Sequence, residues 1–134
     1  MSAFSQVVIT SPVMVTENQV VSITFNAALG SGGLINYTGD VYAHTGVITN
    51  KSTSDNDWKY VVADWSVNLP KAKLTRSGTN TYQLMISPDI RDYYGVPEGE
   101  TILKMAFVFR SADGSKEAKD TGGKDILVSV YASG

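Results

Sequence analysis

The chain has 134 residues, which is room for one domain with its own core. It has no cysteine and one histidine, which excludes disulfides, thiol chemistry and cysteine-based metal centres and leaves little for a histidine-built metal site or catalytic triad. Eleven basic residues against 13 acidic ones, a formal net charge of −2, argue against a nucleic-acid partner, whose phosphates call for a basic surplus.

Gly, Asn, Asp, Ser and Pro punctuate the sequence at short intervals, and the segments between alternate apolar and polar. That pattern predicts an all-β sandwich. Residues 7–10 form a short strand ending at Ser11-Pro12. Proline cannot donate to a ladder, so this is expected to be an edge strand or one that breaks and switches sheets, with 13–15 as its continuation. In 19–25, Val21, Ile23 and Phe25 share one face. A third strand covers 40–44, with Val41 and Ala43 inward and Tyr42 and His44 on the opposite face. The run 49–57 has no apolar residue and reads as a loop. A fourth strand is expected at 58–65.

Residues 73–76 and 81–86 read as a hairpin around Ser77-Gly78-Thr79-Asn80, whose Gly and Asn accept positive φ. The one helical signal is 87–95. Ser87 is placed to cap, Pro88 suits the first turn, Gly95 ends it, and Ile90, Tyr93 and Tyr94 share a face. Residues 101–110 form the strongest strand, with Leu103, Met105, Phe107 and Phe109 on one face and Lys104 and Arg110 marking the other. Residues 126–131 close the fold. Seven or eight short strands in a chain of this length predict an immunoglobulin-like antiparallel sandwich with one short helix. Its expected core comprises Val21, Ile23, Phe25, Val41, Leu84, Leu103, Met105, Phe107, Phe109 and Val128.

The start of the chain carries neither the basic nor the apolar region of a signal peptide, and no apolar run approaches the ~18 residues of a membrane span. The small polar ends, Met1-Ser2-Ala3 and Ala132-Ser133-Gly134, suggest a monomeric domain excised from a larger protein. Charged residues make up only 18% of the chain, and neutral polar residues replace them. Such a surface suits extracellular life and hydroxyl-rich ligands.

Enzyme chemistry finds no foothold. There is no Gly-x-Ser-x-Gly elbow, phosphate loop or His-Glu-x-x-His, and the acids lie in polar turns such as Asp55-Asn56-Asp57. That acidic turn hints at calcium, but it lacks the ligand spacing and bidentate Glu of a calcium loop, so only a structural ion is entertained and no cofactor is expected.

Binding chemistry fares better. Tyr42 and His44 point to the same outer side of a strand, and Trp58 follows a polar loop. Exposed aromatic rings stack on the C–H faces of sugars, and Tyr and His add hydrogen bonds to hydroxyls. The plain alternative for Trp58 is a plug at the sheet end. Trp58 and Trp65 are an odd number of positions apart, so an unbroken strand turns them to opposite faces. Val61 and Ala63 look like core, which makes Trp65 the expected core tryptophan and Trp58 the displayed one.

Val41-Tyr42-Ala43-His44-Thr45-Gly46, a variable loop and Trp58-Lys59 resemble the hydrophobic-Tyr-x-His/Tyr-x-Gly…Trp segment of starch-binding modules of carbohydrate-binding families 25 and 26. Met105-Ala106-Phe107-Val108-Phe109 with Asp113-Gly114, and Gly122-Gly123-Lys124-Asp125-Ile126, are similar to their closing strands. The likeness spans residues 20–131 and extends to sandwich modules of Bacteroidetes α-amylases and surface proteins. It implies a non-catalytic module for α-1,4-linked glucan, linked to catalytic or surface domains of a secreted protein. Tyr42, His44 and Trp58, with Lys59 beside them, are its implied ligand-binding residues. Where those families carry a Trp-Asp-Asn-like run, residues 115–122 are charged instead, so Lys116, Lys119 and Asp120 become candidate hydroxyl partners or plain solvated turn residues. The competing expectation is a structural or adhesion spacer with the same sandwich fold, which would bury or scatter the aromatic residues.

Overall fold

The computed structural model describes residues 6–132; Met1–Ser5 and the last two residues, part of the ends discussed above, lie outside the described residues. Eight strands form two antiparallel sheets: β1 (Val8–Ser11), β2 (Val21–Asn26), β3 (Val41–Thr49), β4 (Thr75–Gly78), β5 (Thr81–Ile86), β6 (Ile102–Ser111), β7 (Glu117–Ala118) and β8 (Ile126–Ser129). The first sheet has the order β1-β2-β5-β4. In the second, β3 lines one side of β6, and β7 and β8 follow one another along the other. Taking β7 and β8 as one interrupted strand, this is the ABED/CFG arrangement of an immunoglobulin-like sandwich.

The inner faces follow the alternation of the sequence. Val21, Ile23 and Phe25 pair with Ile86, Leu84 and Tyr82 across the first sheet, and all are buried. Val41, Val47, Met105, Phe107 and Phe109 face them from the second. Phe25 stacks on Phe109 at 4.1 Å between ring centroids, which joins the two sheets at their centre. Each such side chain contributes about 1.5–3 kcal/mol through its removal from water.

The first strand breaks at Ser11-Pro12, and the chain then crosses to the other sheet, where Thr16 pairs parallel with Tyr131. Val13 and Met14 therefore stand exposed at the crossing and do not continue β1, whereas Val15 is buried. The helix α1 (Ile90–Tyr94) is shorter than the sequence suggests. Asp89, not Ser87, caps it by accepting the Asp92 N–H at 2.8 Å, and Gly95 ends it at φ 76°. Leu103 is 44% exposed and is not core. Between Ile48 and Thr49 the β3–β6 register shifts, leaving Leu103 as the extra residue of a bulge that turns it outward. Val128 is only partly buried.

The largest departure lies between β3 and β4. Residues 58–65 do not form a strand. Only Lys59 pairs in ladder fashion, with Val47 on the free edge of β3, through backbone bonds of 2.7 and 2.9 Å. The next residue, Tyr60, has φ 53°, a left-handed conformation that breaks the alternation. The segment then folds over the outer face of the second sheet. Gly46 makes that approach possible: a Cβ there would lie 3.0 Å from both the Lys59 carbonyl oxygen and Val61 Cγ2. The outer-face residues Ile48, Ala106, Val108 and Arg110 are consequently buried, although Arg110 marks a solvent face in the sequence pattern.

Candidate functional site

His44 lies on the outer face of β3, opposite Val108 on β6. The covering segment brings both tryptophans to it. The Trp58 ring centroid is 5.6 Å from that of His44, tilted by 34°, and Trp65 meets the imidazole edge-on at 5.2 Å. All three rings are half-buried. Trp65 is therefore not a core residue. Opposite faces for Trp58 and Trp65 require an unbroken strand, and the chain reverses at Tyr60 between them.

Trp65 rests on two supports. Its indole nitrogen lies against Gly114 in the turn between β6 and β7, where a Cβ would stand 2.9 Å away. The Arg110 guanidinium sits 5.7 Å from the Trp65 ring and 5.4 Å from the Tyr42 ring.

The three rings and Val108 line an open cleft of about 270 Å³, rimmed by Asn56, Glu117, Lys119 and Asp125. The polar rim depends on the interruption of the last strand. Residues 119–125 leave the ladder, held by Gly122 at φ 81° and Gly123 at φ 76°, and deliver Lys119 and Asp125 to either end of the excursion. Ser31 fixes its base, its hydroxyl accepting the Lys119 N–H at 2.9 Å. Glu117 and Lys119 pair across the rim at 3.5 Å. Flat apolar rings beside carboxylate, amide and ammonium groups suit a ligand with both C–H faces and hydroxyls.

The imidazole of His44 is held below its ordinary pKa of 6.5, first because burial strips hydration from the cation and then because Arg110 repels it. A bond to the Ala63 backbone and the Asp64 and Asp125 carboxylates oppose this and are outweighed. At neutral pH the ring is uncharged.

Of the seven residues selected from sequence, His44 and Trp58 meet in the cleft and Lys119 stands on its rim. Tyr42 shares their face but packs on Arg110, one rung further along the ladder. Lys59 serves the β3 edge by its backbone, and its ammonium pairs with Asp57 at 3.5 Å. The Lys116 side chain is exposed outside the cleft; its N–H donates to the Ser111 hydroxyl. Asp120 accepts the Thr121 N–H and faces a neighbouring groove with Asp55 and Lys124. Asp55 of the acidic turn accepts a bond from Lys104 at 2.7 Å. Sequence reasoning missed Trp65, Asn56, Glu117 and Asp125 as cleft residues and Arg110 as their support.

No curated protein matches the chain. A family match runs from β1 to β7 and takes in His44, Trp58, Trp65 and Arg110. Residues 8–118 match the family described as Domain of unknown function (DUF8578), and the chain belongs to that family.

Proposed function

We propose that this domain is a non-catalytic module that binds a neutral glycan, of the α-1,4-linked glucan class, in the cleft of His44, Trp58 and Trp65. The observation that carries the reading is the convergence of these three half-buried rings on one open cleft with a polar rim. Trp58 and Trp65 offer the apolar area for a sugar face, and Asn56, Glu117, Lys119 and Asp125 meet the hydroxyls.

The buried Arg110 cation favours a neutral ligand. Three aromatic rings and nearby carboxylates also suit an alkylammonium group, which such cages bind through their electron-rich faces. A guanidinium fixed behind Trp65 opposes a second cation in front of it. A general acid in glycoside hydrolysis requires an apolar setting that keeps it protonated. Glu117 is instead exposed and paired with Lys119, which suits binding. In this reading the domain works outside the cell, attached to a catalytic or surface domain that profits from being held at the polysaccharide.

The test is a pull-down on insoluble starch beside cellulose and xylan, followed by calorimetry with maltooligosaccharides. The expected dissociation constant is ~10 μM to 1 mM, because a shallow face with two or three rings gives only ~4–7 kcal/mol. Retention on none of the three polymers would sink the reading. The structural-spacer reading then gains, supported by the exposed Ile9, Val13 and Tyr131 around one groove.

A further inference from the structure

We propose that Arg110 is the positioning residue of this cleft: its guanidinium ties the covering segment to the end of β6 and so sets the Trp65 ring at the angle from which it meets a ligand. The proposal rests on the binding reading above for its ligand, but not for its geometry.

Arg110 is 2% exposed, yet among the described residues no carboxylate forms an ion pair with it, and its Nε has no hydrogen-bond partner. A buried cation in this state is costly, and an apolar side chain of similar volume would avoid the cost. No apolar side chain would hold what Arg110 holds. One arm of the fork donates to the Val67 carbonyl at 2.8 Å, two residues beyond Trp65. The other donates to the carbonyls of Ser111, at 3.1 Å, and Ala112. The Asn68 amide donates to that same Ala112 carbonyl at 3.1 Å, so the covering segment and the strand end share an acceptor.

The ladder provides an obvious neutralising partner and does not use it. Glu117 stands directly across from Arg110 on β7, but its carboxylate turns to Lys119 at the cleft rim. The acid is thereby left for the ligand side, and the cation is held by backbone oxygens on its two terminal nitrogens and by the Tyr42 and Trp65 rings, with Nε unpaired. Lysine does not replace this arrangement, because an ammonium lacks the planar fork that reaches two strands of backbone and stacks on a ring.

The experiment compares Arg110→Lys and Arg110→Met with the parent chain in a Trp58→Phe background, where Trp65 is the sole indole. Its emission and near-ultraviolet dichroism report the ring. Affinity for maltoheptaose is measured with Trp58 intact. The expected result for Arg110→Lys is a folded protein with red-shifted Trp65 emission, weakened ring dichroism and affinity reduced about tenfold or more, the scale of losing an interface anchor. Arg110→Met is expected to show the same spectral change, and the lysine variant decides alone if the methionine variant does not fold. Unchanged Trp65 spectra in a folded Arg110→Lys protein overturn the proposal, and so does a loss of affinity without a spectral change. If the parent chain binds no glucan, the binding reading fails, and the spectra alone decide whether Arg110 sets the ring.

Discussion

The Tyr60 hydroxyl donates to Oε1 of Glu100 at 2.5 Å, tying the residue that reverses the covering segment to a carboxylate buried ahead of β6. Thr49 donates to Oε2 at 2.6 Å, and these two bonds, Thr49 first, hold the Glu100 carboxyl below its ordinary pKa of 4.5. Tyr60 also pays a conformational cost at φ 53°, of order 1–3 kcal/mol for a non-glycine residue in the left-handed region, which its surroundings must offset. A carboxyl whose folded pKa is depressed gives stability that is complete above the unfolded value and is lost as pH falls through the folded one. Tyr60→Phe removes one of the two bonds that depress it. Thermal midpoints measured from neutral to acid pH should fall for both proteins below 4.5, with the smaller acid-dependent loss in Tyr60→Phe, which starts lower at neutral pH. Parallel curves would show that Tyr60 does not contribute to the shift.

Gly46 provides a second handle on the same segment. Its φ is ordinary, so a substitution there acts through space alone: an alanine Cβ meets the Lys59 carbonyl and Val61 at 3.0 Å and Trp58 Cβ at 3.3 Å. The segment must move outward and carry Trp58 with it, while the core behind β3 is untouched. Gly46→Ala should therefore weaken glucan binding more than it lowers stability, which should change by about 1 kcal/mol. Binding at parental strength would place the Trp58 ring outside the ligand contact.

The sandwich was legible because its inner faces obey simple alternation. Val21, Ile23 and Phe25, and then Met105, Phe107 and Phe109, are read correctly from period two alone. The site was half legible. His44 and Trp58 come from a strand face and a loop anchor, both local signals. Trp65 was misplaced because its orientation depends on one positive φ at Tyr60, and tyrosine gives no sign of that conformation as glycine would. Arg110 was misread for a related reason. Alternation shows which face a residue takes, but not that a third layer of chain will cover that face. The polar rim depends on an interrupted strand, for which Gly122-Gly123 was the one visible mark.

The bulge on β6 predicts very different stability costs at Leu103 and Phe107, which the sequence pattern puts on one face. Leu103 is 44% exposed, so Leu103→Ala should change the unfolding free energy by no more than about 0.5 kcal/mol. Phe107 is fully buried against Phe109, and Phe107→Ala should cost ~3–5 kcal/mol, a large part of the ~5–15 kcal/mol typical of a domain. Comparable losses at the two positions would mean that the register shift beside Thr49 is misplaced.

His44 makes a separate contribution in a higher pH window. Its folded pKa lies below the unfolded value near 6.5, so the unfolded chain binds its proton first as pH falls. Stability from this group is complete above that value and is lost progressively from there down to the folded pKa. The loss precedes the carboxylate window of Glu100. His44→Gln should flatten the stability profile as pH falls through and below 6.5 and leave the steeper acid limb in place. A chemical-denaturation series across that range reads the difference directly, and an unchanged slope would place the imidazole in a solvent-like setting.

The two tryptophans provide the most direct test of the site. An unbroken strand would bury one and display the other, so that Trp65→Ala unfolds the domain and Trp58→Ala abolishes binding alone. The structure gives them a common setting, with both rings half-buried and both against His44. Trp65 also covers Arg110 and Gly114, so its removal exposes a buried cation as well as leaving a gap. Trp65→Ala should cost about 2 kcal/mol, less than the ~3–5 kcal/mol of a fully buried aromatic ring, and the protein should remain folded. Trp58→Ala should cost about 1 kcal/mol, since it leaves no enclosed cavity. Each variant should lose measurable retention on starch, because two stacked rings supply most of a free energy of only ~4–7 kcal/mol. A folded Trp65→Ala protein that binds at parental strength would remove Trp65 from the site and restore Trp58 as its sole tryptophan.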